Sequence, residues 1–252
     1  MSELKFSHVT VHFGTGRRRI TAVDDVSLVV PRGSILGLVG ESGSGKSTLA
    51  RAAVGLAPVH AGSITLDGDP VPTRGSYRPL QMVFQDPTAS LDPRLTIGAA
   101  IAEVAPRGLT RAGRAAEVAR LLELVHLEAG QAAAFPGQLS GGQRQRVALA
   151  RALAGTPKVI IADEITSSLD VSIQGAILNL VRDLVAEIGL TLLFISHNLA
   201  VVRYMASRVA VMQGGHLVEE GPTALVMANP AHPYTRQLLA AVPGADKPKG
   251  TP

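Results

Sequence analysis

The chain has 252 residues, 46% hydrophobic and 17% charged, which supports one large domain or a core with an inserted subdomain and argues against disorder. It contains no cysteine, which excludes disulfides, thiolate metal sites and thiol catalysis and fits a reducing interior. A net charge of +4 raises nucleic acid as a partner, but 3% aromatics give no base-stacking platform and the arginines are scattered, Arg17–Arg19 being the one tight cluster. A basic surface beside an anionic membrane or partner is the plainer reading, and no nucleic-acid partner is expected.

In chain order, residues 4–13 alternate polar and apolar and read as a strand, broken by Gly14, Thr15 and Gly16. "AVDDVSLVV" (22–30) reads as a second strand, with a turn at Pro31, Arg32 and Gly33. "SILGLVG" (34–40) is continuously apolar, as a strand buried on both faces of a parallel sheet should be. A glycine-rich loop follows, then a helix, "KSTLARAAVGL", ending near Gly55 and Pro58. From about 87 to 155 the composition turns to Ala, Leu, Arg and Glu. This predicts an inserted helical block with loops at 106–108 and 135–137.

Strands resume with "KVIIAD" (158–163) and "TLLFIS" (191–196). Between them a helix places Ile173, Ile177, Leu180, Leu184 and Ile188 on one stripe. Gly214 and Gly215 signal a hairpin, the tail after Pro243 reads as frayed, and no internal repeat is visible. No apolar run approaches the roughly 20 residues that span a bilayer, and the first residues hold no signal-peptide core, so synthesis and residence in the cytosol are expected.

"GESGSGKST" matches G-x-x-x-x-G-K-[ST] in full, between a buried strand and a helix. Gly40, Glu41, Ser42, Gly43, Ser44, Gly45 and Thr48 would form a cradle of backbone N–H groups for phosphate oxygens. Lys46 would reach the β- and γ-phosphates and Ser47 would bind Mg²⁺. "VIIADE" ends an apolar strand in two carboxylates: Asp163 for the Mg²⁺ shell and Glu164 to polarise an attacking water. A second glycine-rich opening, "LSGGQ", holds Ser140, Gly141, Gly142 and Gln143 at the mouth of an Arg-studded helix. It too reads as an anion site.

These motifs, followed by "SLD" at Ser168 to Asp170 and "SH" at Ser196 and His197, stand in the order seen in ABC ATPases, which the chain resembles over almost its whole length. The resemblance implies an α/β fold: a P-loop NTPase (RecA-like) core with an N-terminal antiparallel β subdomain and an inserted α-helical subdomain. It implies an ATPase domain over residues 1–228, with the helical part at about 87–155 and a short tail at 229–252. It also accounts for the second glycine-rich opening, because in that family two ATPase domains pack head to tail and each LSGGQ meets the partner's ATP. By the same resemblance Gln85 is the Q-loop glutamine, touching Mg²⁺ or water, His197 the residue that contacts the γ-phosphate, and Asp170 the D-loop aspartate. Asp170 equally suits the N-cap of the following helix. Phe13 stands where the family has an adenine-stacking aromatic, and equally suits a core position.

Two departures stand out. Ile165 replaces the usual proline, which could loosen the turn after Glu164, and Asn198 replaces a common aspartate beside the γ-phosphate. Neither removes a catalytic group.

"QDPTASLDPRLTI" (85–97) and "NPAHPYTRQLLAAVP" (229–243) are similar to segments of oligopeptide, dipeptide and nickel importers. This resemblance implies an ATP-driven subunit lying peripherally on the cytoplasmic face of the cell membrane. Its expected partners are two integral membrane permeases, an extracytoplasmic solute-binding protein and a second ATPase subunit, a heterodimer ahead of a homodimer. An exporter ATPase and a soluble non-transport ABC protein are the alternatives.

Overall fold

The structure, a computed structural model, describes residues 2–14, 16–72, 78–106 and 108–241, without the side chains of Arg17, Thr88 and Ala89. Thr15, Arg107 and the tail read as frayed lie outside the described residues.

Strand β1 (Leu4–Phe13) buries Leu4 and Phe6, then shifts phase to bury Val9 and Val11. The shift is a bulge. Register with the antiparallel β2 (Ile20–Val30) slips between Phe6 and Val9, and His8 takes φ +52° opposite Asp25 at +53°. The His8 ring nitrogen lies 2.7 Å from the Asp25 carboxylate, on the exposed face.

Next come β3 (Ile35–Val39), α1 (Lys46–Ala53), β4 (Ala61–Leu66), β5 (Asp69–Pro70) and β6 (Leu80–Val83). Strands β4 and β5 complete a four-stranded sheet in the order β2-β1-β4-β5. The helical block holds α2 (Ile97–Ala102), α3 (Arg111–Leu124) and α4 (Gly141–Ala154). After it come β7 (Val159–Asp163), α5 (Val171–Ile188), β8 (Thr191–Ser196) and α6 (Leu199–Met205). The chain continues through β9 (Arg208–Gln213), β10 (His216–Pro222), α7 (Thr223–Ala228) and α8 (Pro233–Ala240).

The second sheet runs β10-β9-β3-β8-β7-β6, parallel throughout except for the β9–β10 hairpin. That hairpin turns at Gly214 and Gly215, with φ +54° and +89°, the signs of a type I′ turn.

The central strands are buried at every position because each face has its own cover. Leu36, Leu38, Ile161, Leu193 and Ile195 pack on Leu49 and Ala50 of α1 and on Phe6 and Leu28 of the first sheet. Ile35, Val39, Ile160, Leu192 and Phe194 pack on Ile177, Leu180 and Leu184 of α5 and Leu199 and Val202 of α6. The helices α2–α4 join this second cluster through Ile101, Leu121 and Val147. Of the expected α5 stripe, the middle is buried, while Ile173 is half-buried and Ile188 exposed at the last helical turn.

Four parallel strands, β3, β6, β7 and β8, therefore end along one edge. The glycine-rich loop, Gln85, Asp163 with Glu164, and His197 stand at those ends. Carboxyl ends of parallel strands are where open α/β sheets bind ligands.

Candidate functional site

The loop after β3 curls directly into α1. Its last residue, Gly45, is the N-cap at φ +102°, and a Cβ there would lie 2.3 Å from the Ala22 carbonyl oxygen of β2. Only glycine meets both the backbone angle and the close approach. Lys46 is 4% exposed and donates to the carbonyls of Gly40 and Glu41, each at 2.8 Å, and to Ser44 Oγ at 3.1 Å. Burial lowers its pKa, against the opposing pull of Glu164, Asp163 and Glu41. The loop's other flank is held by the β9–β10 turn, where Gly215 N–H donates to the Ser44 carbonyl at 3.1 Å.

Across the site, Ser47 Oγ donates to Asp163 Oδ1 at 3.0 Å. Asp163 is 5% exposed. Burial raises its pKa, the Ser47 bond opposes that, Glu164 raises it further, and Arg51 and Lys46 counter. Burying this carboxyl without a full counter-charge is unfavourable, so the site favours a cation beside it. A hydroxyl and one carboxylate are hard oxygen donors of the set Mg²⁺ takes when substrate phosphates complete its shell, and the residues present fit that ion. Among the described residues no cluster of three or more His, Asp or Glu could hold a metal without such help.

Glu164 adopts φ +50°, a left-handed conformation that costs about 1–2 kcal/mol for a residue with a side chain. The turn is held by Glu164 N–H to Ile195 O at 3.0 Å and Ser167 N–H to Glu164 O at 3.1 Å. Ile165 is fully buried behind it, so the missing proline leaves a closed turn here. Glu164 Oε2 lies 3.2 Å from His197 Nδ1, at the end of β8. Gln85 is exposed, and its Nε2 donates to Ser167 Oγ at 3.1 Å; Ser167 Oγ donates to Glu164 O at 2.9 Å. Asn198 caps α6, accepting from Ala200 N–H at 2.9 Å and Val201 N–H at 3.4 Å.

Phe13, 46% exposed, pairs with Ile20 at the strand end, two residues from the Ala22 that lies against Gly45. An aromatic face is thus open at the margin of the loop.

The second glycine-rich opening sits elsewhere. Ser140 is the N-cap of α4: its Oγ accepts from Gln143 N–H at 3.3 Å, and Gln143 Oε1 accepts from Ser140 N–H at 2.9 Å. The N–H groups of Gly141 and Gly142 have no acceptor within the helix and need one from outside. The two glycines differ in cause. Gly142 is buried against α5, where a Cβ would lie 2.6 Å from Ile173 Cγ2, whereas Gly141 has only Leu169 Cδ2, at 3.5 Å. The missing side chain at Gly142 thus serves packing within the chain, while its N–H stays open. Asp170 caps α5 through Ile173 N–H at 3.0 Å, and that bond with the Ser172 hydroxyl lowers its pKa.

Two contacts have no local sequence signal. One is the Ser167 hydroxyl that joins Gln85 to the Glu164 backbone. The other is Tyr234 of α8, whose hydroxyl accepts Glu41 N–H at 2.8 Å across a separation of 193 residues. No spacing rule reaches that far. In the sequence Tyr234 was legible only as part of a tail motif.

A glycine-rich phosphate loop leaving a buried parallel strand, with a serine–aspartate pair at its mouth and a glutamate beside it, defines a P-loop nucleotide hydrolase. Residues 23–167 match the family model described as ABC transporter, and residues 218–252 the one described as oligopeptide/dipeptide transporter, C-terminal region. The chain belongs to the ABC transporter family, as an ATPase cassette. It is 50% identical over 239 residues to a putative peptide import ATP-binding protein of Brucella abortus (strain 2308), covering 91% of this chain and 72% of that one. It is 46% identical over 253 residues to the oligopeptide transport ATP-binding protein OppF of Bacillus subtilis (strain 168), covering 96% and 83%. The ATP-binding cassette MJ0796, solved as a dimer in a post-hydrolysis state with ADP and Pi, superposes with a TM-score of 0.76 at 30% identity, over 87% of this chain and 98% of that one.

Proposed function

We propose that the chain is the ATP-hydrolysing subunit of an importer of peptides or related small solutes, lying on the cytoplasmic face of the membrane. The observation that carries the ATPase part is the Ser47–Asp163 hydrogen bond of 3.0 Å beside the buried Lys46. The import part is supported by the C-terminal match over residues 218–252 and by the relatives named for peptide import. Among the described residues no helix is long and apolar enough to cross a membrane. Its partners in this reading are two membrane permeases served by a solute-binding protein.

In this reading the N–H groups of residues 43–48 bind the phosphates. Lys46 turns from its loop carbonyls to the β- and γ-oxygens, and Phe13 stacks on adenine. Ser47, Asp163 and Gln85 hold Mg²⁺, which neutralises charge on the phosphate oxygens when bound. Glu164, kept close to His197, takes the proton of the attacking water, and His197 hydrogen-bonds the γ-phosphate oxygens. Ser140, Gly141, Gly142 and Gln143 serve the nucleotide of a second subunit, favoured as a different chain, with Asp170 at the same interface. ATP closes the pair and hydrolysis reopens it, and the Gln85–Ser167–Glu164 connection carries that change towards the permeases.

Phosphate release by the purified chain with Mg²⁺-ATP, alone and co-expressed with the permeases, tests the proposal. Turnover should vanish in Lys46→Ala and rise on assembly with membrane subunits. A chain that hydrolyses ATP but never co-purifies with integral membrane proteins would sink the transport reading.

A further inference from the structure

We propose that Tyr234 is a positioning residue of the ATP site, the C-terminal helix thereby acting as a strut for the phosphate loop; this rests on reading residues 40–48 as that loop. Both faces of one peptide group carry the argument. Glu41 N–H donates to Tyr234 Oη at 2.8 Å, while the carbonyl of the same peptide group, that of Gly40, accepts from Lys46 Nζ at 2.8 Å. Fixing that peptide at its nitrogen fixes where its carbonyl holds the ammonium in the nucleotide-free loop.

The strut is itself anchored. Glu219 of β10 accepts Ala231 N–H at 2.8 Å through one oxygen and His232 N–H at 3.1 Å through the other. His232 Nδ1 then accepts Tyr234 N–H at 3.2 Å, capping α8. Tyr234 is 4% exposed and Thr235 fully buried, so the helix start is seated in the core. The hairpin ending in β10 holds the Ser44 carbonyl as well. The two ends of the loop are therefore gripped from one C-terminal unit, at Ser44 by the turn and at Glu41 by the tyrosine.

The test is Tyr234→Phe, which keeps the ring and removes the one oxygen. ATP affinity is measured by calorimetric titration of the full chain with Mg²⁺-ATP, and phosphate release by initial rates. Losing one half-buried hydrogen bond predicts a Kd and KM roughly three- to tenfold higher, with kcat at saturating ATP within about twofold of wild type. Val118→Ala, in α3 and remote from the loop, controls for global stability.

If Tyr234→Phe binds ATP like wild type, or if both variants lose affinity in step with their melting temperatures, the positioning role is overturned. Hydrogen exchange of the wild-type chain decides the matter should the variant not fold. The Glu41 amide is expected to exchange at least about tenfold more slowly than the exposed Ser42 amide, and equal rates would overturn the proposal. Lys46→Ala separates the two claims: if it binds ATP as wild type does, the loop reading fails, whatever Tyr234 does.

Discussion

Glu164→Gln isolates the proposed proton acceptor from everything else Glu164 does. The amide has the same size, keeps the left-handed backbone at φ +50°, and leaves the bonds to Ile195 O and from Ser167 N–H untouched. What it loses is basicity, 3.2 Å from His197. A positioned general base contributes about 10²- to 10⁴-fold, or roughly 2.7–5.4 kcal/mol of barrier at about 1.36 kcal/mol per tenfold. Stability should move the other way, because Glu164 is one of the charges that disfavour ionised Asp163. A gain of up to about 1 kcal/mol corresponds to about 2–4 °C in Tm for a chain of this size. Phosphate release at saturating Mg²⁺-ATP reads the first effect, and gel filtration in ATP should show a trapped dimer. Turnover within about threefold of wild type, in a variant that melts normally, refutes the assignment of the base.

Asp163→Asn should abolish turnover yet stabilise the nucleotide-free protein at neutral pH. A carboxyl whose folded pKa lies above its unfolded 3.8 binds more protons folded, so its penalty is present when both states are ionised and disappears as pH falls towards 3.8. Thermal melts from pH 7 to 4 should show the variant's advantage shrinking, and an advantage that grows on acidification would contradict the burial argument. Ser140→Ala removes an N-cap and is expected to cost about 0.5–2 kcal/mol, read by denaturant midpoint, while ATP-driven dimerisation is lost on gel filtration. Gly142→Ala forces a Cβ to 2.6 Å from Ile173 Cγ2 and should destabilise by about 1–3 kcal/mol before an offset of about 1 kcal/mol from helix propensity. Adding Ile173→Ala should recover part of the net loss, and a double variant no better than the sum of its parts argues against the contact.

The site was legible where chemistry and backbone geometry coincide locally. The glycines of the phosphate loop, the carboxylate pair at the end of "VIIAD" and the hairpin glycines each answer to neighbours within a few residues. The buried strands were equally plain, since a run such as "TLLFIS" has no polar face to give water. Strands β4 and β5 were not, because "AGSITL" buries little and depends on pairing with β1 for its form. The bulge at His8 was hidden by an alternation that holds on either side of it. Gly142 reads in the sequence as an anion site alone, and its packing partner, Ile173, lies on α5, the next helix, with β7 between them in the chain. Tyr234 and Ser167 act through the folded chain alone.

The Ser167 hydroxyl carries a single proton, and the carbonyl of Glu164 has it. Whatever Gln85 presents to that oxygen must accordingly be an N–H, which settles the orientation of its amide. The opposite end of the amide, Oε1, is turned away from Ser167, and oxygen is the element a hard cation or a water molecule seeks. One serine thus decides which atom the glutamine offers.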